Sequence, residues 1–343
     1  MFALLFLSVS MALANPAVDG RLAPTADIGD PITAELVGAA RAGDGGYARL
    51  TDLCDNIGAR LSGSKAMERA VVWSQAQLEA VGAEKVWTEP VMVPHWERGE
   101  ERAEMVVPRV QPMTILGLGG TVAGDVEAEV VMVTDLDGIG PEVEGKIVLF
   151  NIPMGDSVPA VHEYGAAVRA RVNGPSLAGK HGALAAMVRS VTTRSLDTPH
   201  TGATIYAEGV PRVPAVAVTI EDADSMARII EAGGKVRVRI KTSGIHHPDA
   251  LSHNVIGEIR GAKRPKEIVL IGAHLDSWDV GHGAHDDGSG VVEVIDALRI
   301  IAESGHRPER TIRVVLFANE ENGLRGGKAY AEAHPLTRRE RHV

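Results

Sequence analysis

The stretch that decides the fold is "EIVLIGAHLDSWDVGHGAHDDGSGVVEVIDALRIIAES", Glu267–Ser304, followed by "TIRVVLFANEENG", Thr311–Gly323. Each segment opens with an apolar run of strand length, and between them "GSGVVEVIDALRIIAES" spaces its apolar residues as a helix does. Strand, helix and strand joined by a long crossover predict parallel neighbours in one sheet. The pattern continues outward, with a further strand in "NVIGEIRG" upstream and a short helix in "GGKAYAEAH" downstream. From about Val106 to Gly244 the texture shifts to short β-type runs, "AEVVMVTD", "KIVLFNIP", "ALAAMVRS", "VPAVAVT" and "VRVRIK", separated by glycines, prolines and some helical stretches. Between Pro31 and Gly82 helical spacing returns, with Val71, Leu78 and Val81 on one stripe and two helices expected around the turn "NIGARLSGS". The fold class read from this order is α/β, with a mostly parallel central sheet and a separate β-rich module over 106–244.

With 343 residues, 45% of them hydrophobic, the chain can bury a sizeable core. Lys and Arg total 35 against 45 Asp and Glu, a net charge of −10 with no long basic run, which argues against nucleic acid and anionic membranes as partners. The first fourteen residues, "MFALLFLSVSMALA", are apolar, too short to span a bilayer comfortably, and end in a small-x-small pattern before Asn15-Pro16. They read as an export signal lacking the usual leading positive charge, the alternative being a buried N-terminal helix; the protein is therefore expected to be secreted or periplasmic. Cys54 is the only cysteine, so no intrachain disulfide is possible, and beside Leu53 and Ile57 it reads as a core residue.

Ligands of open α/β sheets bind beyond the carboxyl ends of the strands. Two strands here end in metal-type donors: one runs into His274 and Asp276, the other into Glu320 and Glu321, while the intervening loop delivers Asp286 and Asp287 to the start of a helix. Imidazole plus carboxylate is a zinc donor set when no thiolate is at hand. In an extended His274-x-Asp276 both side chains lie on one side, so Asp276 is expected to accept the imidazole proton that does not face the metal. Glu320 and Glu321, if extended, point opposite ways, one as ligand and one as general base. Asp279, His282 and His285 read as bystanders, and His246-His247 as surface residues of a linker before Pro248.

These stretches, together with "SHNVIGEI" and "NIGARLSGS", resemble the M28 family of co-catalytic zinc exopeptidases. The upstream "PHWERGEE", "ILGLGG", "PHTG" and "EGVPRVPAVAVTIEDA" bring the resemblance closer to its carboxypeptidase-type members that cleave dipeptides. It spans about Gly43 to Ala333. The resemblance implies His274 on one zinc ion, Asp286 bridging two, Glu321 on the other, Glu320 as general base and Asp276 orienting His274. It also implies a cis peptide bond between Asp286 and Asp287, rare outside proline. The fold implied is the three-layer zinc-exopeptidase one, divided as signal 1–14, first peptidase part 15–105, protease-associated-like insertion 106–244 and catalytic part 245–343. The implied partners are a small peptide substrate and, as among relatives, a second copy of the chain.

The family's remaining two ligands, an aspartate and a histidine, fall beyond Val343, and neither His334 nor His342 reads as a replacement. The expectation is a C-terminally truncated chain, lacking strands, that binds zinc weakly and turns over little. Two rival functions stay open: an aminopeptidase with the same metal core, and a non-catalytic scaffold.

Overall fold

The structure, a computed structural model, describes residues 30–43, 45–157, 160–194 and 196–335. The export-signal reading of residues 1–14 and His342 lie outside the described residues. The chain order begins α1 (Pro31–Ala42), α2 (Gly45–Asp52), α3 (Lys65–Ala80), β1 (Lys85–Glu97), β2 (Glu101–Val107), β3 (Gln111–Met113), β4 (Ile115–Gly117), β5 (Gly124–Val133) and β6 (Ile147–Phe150). It continues α4 (Ala160–Lys180), β7 (Ala185–Arg189), β8 (Ala215–Val218), α5 (Ile220–Glu231), β9 (Arg237–Thr242) and β10 (Ile245–Ile259). It closes with β11 (Arg264–His274), α6 (Ser289–Glu303), β12 (Arg310–Phe317) and α7 (Arg325–Ala333).

Two units emerge, divided after Gly43. In the first, Asp30 caps α1 by accepting the Thr33 N–H at 2.9 Å, and Pro31 takes the opening position where no amide partner is needed.

The second unit carries the site. Its first sheet has the order β1-β10-β12-β11. Strands β11 and β12 are parallel, as the crossover through α6 requires, with His274 level with Phe317. The expectation of a mostly parallel sheet is corrected: β10 runs antiparallel to both β12 and β1. The reason is connection length, since the short turn 260–263 between β10 and β11 cannot return the chain to the far end of the sheet. Successive residues of β12 face opposite layers. Val314 and Leu316 join the core beneath α3 and α6, where Val71, Leu78, Val81, Val291, Ile295 and Leu298 are buried. Val315 turns to the other side, against Tyr330 of α7. Each fully buried Val, Ile or Leu in these stripes contributes about 1.5–3 kcal/mol relative to exposure. Cys54 is a buried, free core thiol.

The second sheet is mixed, in the order β3-β2-β9-β5-β6-β7-β8-β4, and takes its strands from Glu101 to Thr242. Its centre, β5 to β8, is parallel. All four residues of β6 are buried: Ile147 and Leu149 lie in a core with Met226 of α5, Val148 and Phe150 in another with Ala170 and Ala178 of α4. Burial on both faces explains its unbroken apolar run.

The chain passes between the sheets at 98–100 and 243–244. Strands β1 and β10 are paired up to Glu97 and Ile245, and pairing resumes at Glu101 and Thr242 between β2 and β9. The two passages touch: the Glu100 N–H donates to Ser243 Oγ at 2.6 Å. A side chain at Gly99 would strike Ser243, its Cβ falling 2.5 Å from that residue's carbonyl oxygen.

Candidate metal centre

At the end of β11 the His274 backbone N–H donates to Asp287 Oδ2 at 3.1 Å, and its ring is held at both nitrogens. Nε2 lies 3.0 Å from Asp286 Oδ1, while Nδ1 lies 3.0 Å from the backbone carbonyl of Asp276. The expected contact to the Asp276 carboxylate is therefore replaced by one to its main chain, the nearest carboxylate oxygen being 3.8 Å from Nδ1. The Asp276 side chain, fully buried, serves the neighbouring strand instead. It accepts the N–H groups of Glu320 at 2.9 Å and Glu321 at 3.2 Å, and the Ser62 hydroxyl at 3.2 Å.

That arrangement corrects a second expectation. Glu320 and Glu321 are not extended; the backbone leaves β12, takes a positive φ of 62° at Asn319 and enters a turn, so both amides face Asp276. Asn319 donates from its side chain to Ser62 Oγ at 3.2 Å, and Asn254 accepts the Ala318 N–H at 2.9 Å, fixing the strand end. Glu321 then closes on His274 and Asp286, with one donor atom from each of the three within 4.8 Å of the others. Glu320 Oε2 stands 4.0 Å from His274 Nε2.

The loop between β11 and α6 is organised by a residue that motif reading passed over. Arg60, fully buried, donates to the carbonyls of Leu275 at 2.6 Å, His282 at 2.9 Å and Gly283 at 3.0 Å. Arginine's rigid fork of donors suits such a hub. Gly283 is required there: it sits at a φ of 59°, and a Cβ would come 2.4 Å from that of Ser277. The Asp286-Asp287 peptide is cis. Asp287 accepts from Gly290 N–H at 3.2 Å as well as from His274, tying the start of α6 to the end of β11. The only advance signal for Arg60 was its place inside "NIGARLSGS"; for Asp287 it was adjacency to Asp286.

Carboxylates crowd the centre. Burial pushes the carboxyls of Asp276, Asp287 and Glu320 up from their ordinary values. Burial, reinforced by nearby Asp286, lifts Glu321 to about 8. Burial opposes the charge on His274, but the hydrogen bond to Asp286 and the surrounding acids outweigh it and raise the ring to about 9. Asp286, bonded to His274, is held down. Glu321 Oε1 is buried with no hydrogen-bond partner among the described residues. An orphaned carboxylate oxygen beside an imidazole and a second carboxylate suits a divalent cation, and the nitrogen-oxygen donor set fits zinc.

The remaining candidates fall elsewhere. His282 and His285 are exposed and outside the trio. Asp279 forms a two-pronged ion pair with Arg98, at 2.7 and 2.8 Å. Next to it Trp278 lies over Gly119, where a Cβ would overlap the indole at 2.0 Å, so the loop in "ILGLGG" must be glycine to meet the metal loop. His334 stacks on Tyr330 and contacts Glu89 at 2.8 Å. His246 and His247 are strand residues of β10, which corrects their reading as linker.

Comparison with known proteins identifies the family. The model of peptidase family M28 matches residues 254–343. Carboxypeptidase Q of Bos taurus is 46% identical over 294 residues, 84% of this chain and 61% of that protein. Its Homo sapiens counterpart is 43% identical over 296 residues, with the same two shares. The chain thus spans about three fifths of the length of these relatives. Among solved structures, a peptidase M28 precursor from Shewanella amazonensis superposes with a TM-score of 0.86 at 36% identity, covering 88% of this chain and 70% of that one. An aminopeptidase from Aneurinibacillus sp. strain AM-1 gives 0.59 at 25% identity, over 86% of this chain and 66% of that one. A described centre of His274, Asp286 and Glu321, with sequence and fold similarity of this extent, places the chain in peptidase family M28.

Proposed function

We propose that the chain is a zinc exopeptidase of the carboxypeptidase Q kind, hydrolysing dipeptides or short peptides. The observation that carries the reading is the convergence of His274, Asp286 and Glu321 around an unpartnered buried oxygen of Glu321. These three residues would hold zinc, and Asp286, whose side chain is 70% exposed, would remain open to a further ion. Zinc, when bound, supplies Lewis-acid polarisation of a carbonyl and a lowered pKa for water.

The chain's own residues do the rest. Glu320 takes a proton from the attacking water at its carboxylate and returns it to the leaving amine; its place beside His274 and the rise that burial gives its proton affinity suit that role. Asp276 acts through the backbone, holding the Glu320 and Glu321 amides so that both side chains emerge toward the ligand trio. Arg60 holds the Asp286 loop from behind. Among the described residues no helix is long and apolar enough to cross a membrane. We place the enzyme outside the cytoplasm on the character of residues 1–14.

The test is Glu320→Gln in the full chain. Zinc binding should persist while dipeptide turnover falls about 10²–10⁴-fold, the range for loss of a general base; undiminished turnover would refute the assignment. The Aneurinibacillus neighbour supports a second reading, an aminopeptidase. Blocking the substrate's amino end alone would abolish that activity, whereas a carboxypeptidase-type enzyme loses activity on amidation of the carboxyl end.

A further inference from the structure

A second cluster of metal-type donors lies away from the ligand trio, where the β1–β10 ribbon leaves the first sheet. His95 and Glu97 alternate along β1 and so share a face, and His247 of β10 is the register partner of His95. The two imidazoles stack with centroids 4.3 Å apart and planes 26° from parallel. Both direct Nε2 at one carboxylate: His95 stands 3.2 Å from Glu97 Oε1, His247 3.4 Å from Glu97 Oε2. One donor atom from each of the three lies within 4.8 Å of the others.

A plain histidine–carboxylate hydrogen bond accounts for His95 and Glu97, whereas His247 meets the same carboxylate only as an ion-pair contact. Its Nε2 is buried, and its approach to Glu97 Oε2 at 3.4 Å lies outside hydrogen-bond geometry, so among the described residues it has no hydrogen bond. A buried ring nitrogen without a hydrogen bond is costly, and a cation shared with the facing carboxylate satisfies it. The cluster is held in place beforehand. Trp96, on the opposite face, donates to the Thr121 carbonyl at 2.9 Å, and Gly63 packs so closely that a Cβ there would come 2.8 Å from that of His95. Glu97, with a side chain 58% exposed, leaves a path by which an ion and completing waters can enter.

We propose that His95, Glu97 and His247 form a further divalent-metal site, of zinc type by its two imidazoles and one carboxylate, that ties β1 to β10 at the passage between the two sheets. It does not depend on the function proposed above. Occupied, it is a cross-link between the outgoing and returning chain, at the last residues paired before residues 98–100 and 243–244.

The test titrates the metal-stripped full chain with Zn²⁺ against a chromophoric chelator. In His95→Gln/His247→Gln one binding event per chain should vanish or weaken roughly 100-fold, at least the upper range for loss of a mere supporting partner. The same event should survive in His274→Gln/Glu321→Gln. Zinc should also slow diethyl pyrocarbonate modification of His95 and His247 in the wild type. Unchanged stoichiometry and affinity in the His95/His247 variant, or modification indifferent to zinc, would overturn the proposal. If the double variant fails to fold, Glu97→Gln, altered at an exposed side chain, is titrated in the same way, and unchanged zinc binding there is equally decisive against it.

Discussion

Replacing Arg60 by Met tests whether the metal loop is held by a buried cation. The guanidinium makes three short contacts, to the Leu275, His282 and Gly283 carbonyls, and a longer one of 3.3 Å to Gly58. Hydrogen bonds from a charged group contribute about 1.5–3 kcal/mol each, so the three short ones sum to about 4.5 kcal/mol at the lower bound. Relief from burying the charge, together with methionine's apolar contacts, returns roughly 1.5 kcal/mol. The expected net loss is about 3 kcal/mol, two powers of ten in the folded-to-unfolded ratio. Urea unfolding followed by tryptophan fluorescence measures the global term. Hydrogen exchange at the Gly288 amide, bonded to Gly283 at 3.0 Å, reports the loop locally. Arg60→Lys keeps the charge but cannot span three carbonyls, and should recover less than half of the loss. A Met variant within about 0.5 kcal/mol of the wild type, with Gly288 still protected, would refute the reasoning, since that is the size of an unremarkable surface change.

Asp276→Asn keeps the shape but turns an amide N–H toward one of the two backbone donors; zinc affinity, read by chelator competition, should fall about 10–100-fold with the fold retained. The metal-free chain should lose stability as pH rises. Glu321 goes from an ordinary 4.5 to about 8 and His274 from 6.5 to about 9 on folding, so both favour folding while protonated. The Glu321 contribution is complete below about 4.5 and lost through about 8, that of His274 complete below about 6.5 and lost through about 9. Thermal unfolding in chelator between pH 5 and 9 checks the sign, and a midpoint rising across that range would contradict it.

How far the sequence reaches depends on how local each cause is. The β11–α6–β12 unit was legible because alternation, helical spacing and crossover length all lie within one continuous stretch. That His274, an acid of the Asp286-Asp287 pair and an acid of the Glu320-Glu321 pair meet is legible for a related reason, since each stands at a strand end or ahead of a helix in that stretch; the choice within each pair comes only from the family resemblance. The pairing of β1 with β10 was not, because those strands lie on either side of the whole second sheet and nothing in either names the other. The linker reading of His246 and His247 fails on the same ground, since both belong to β10 and His247 pairs with His95 across the ribbon. Arg60 was passed over because an arginine in a polar turn is ordinarily solvated, and only the folded chain brings three carbonyls to it. For Asp276 the carboxylate stays within 3.8 Å of the His274 ring but spends its hydrogen bonds on Glu320, Glu321 and Ser62, since spacing along an extended segment reports where a side chain points but not which amides another strand brings.

The pairing of Glu97 with Ile245 carries a consequence for how such a chain can change over time. A polypeptide that leaves a sheet at one residue and re-enters at that residue's own cross-strand neighbour imposes no length on what lies between. A tight turn or an entire folded body closes the same gap with the same register, because loop length adds only slowly to the cost of closure. Register alone thus leaves the length of the segment between those two residues free, while the hydrophobic alternation of β1 and β10 keeps the sheet in step.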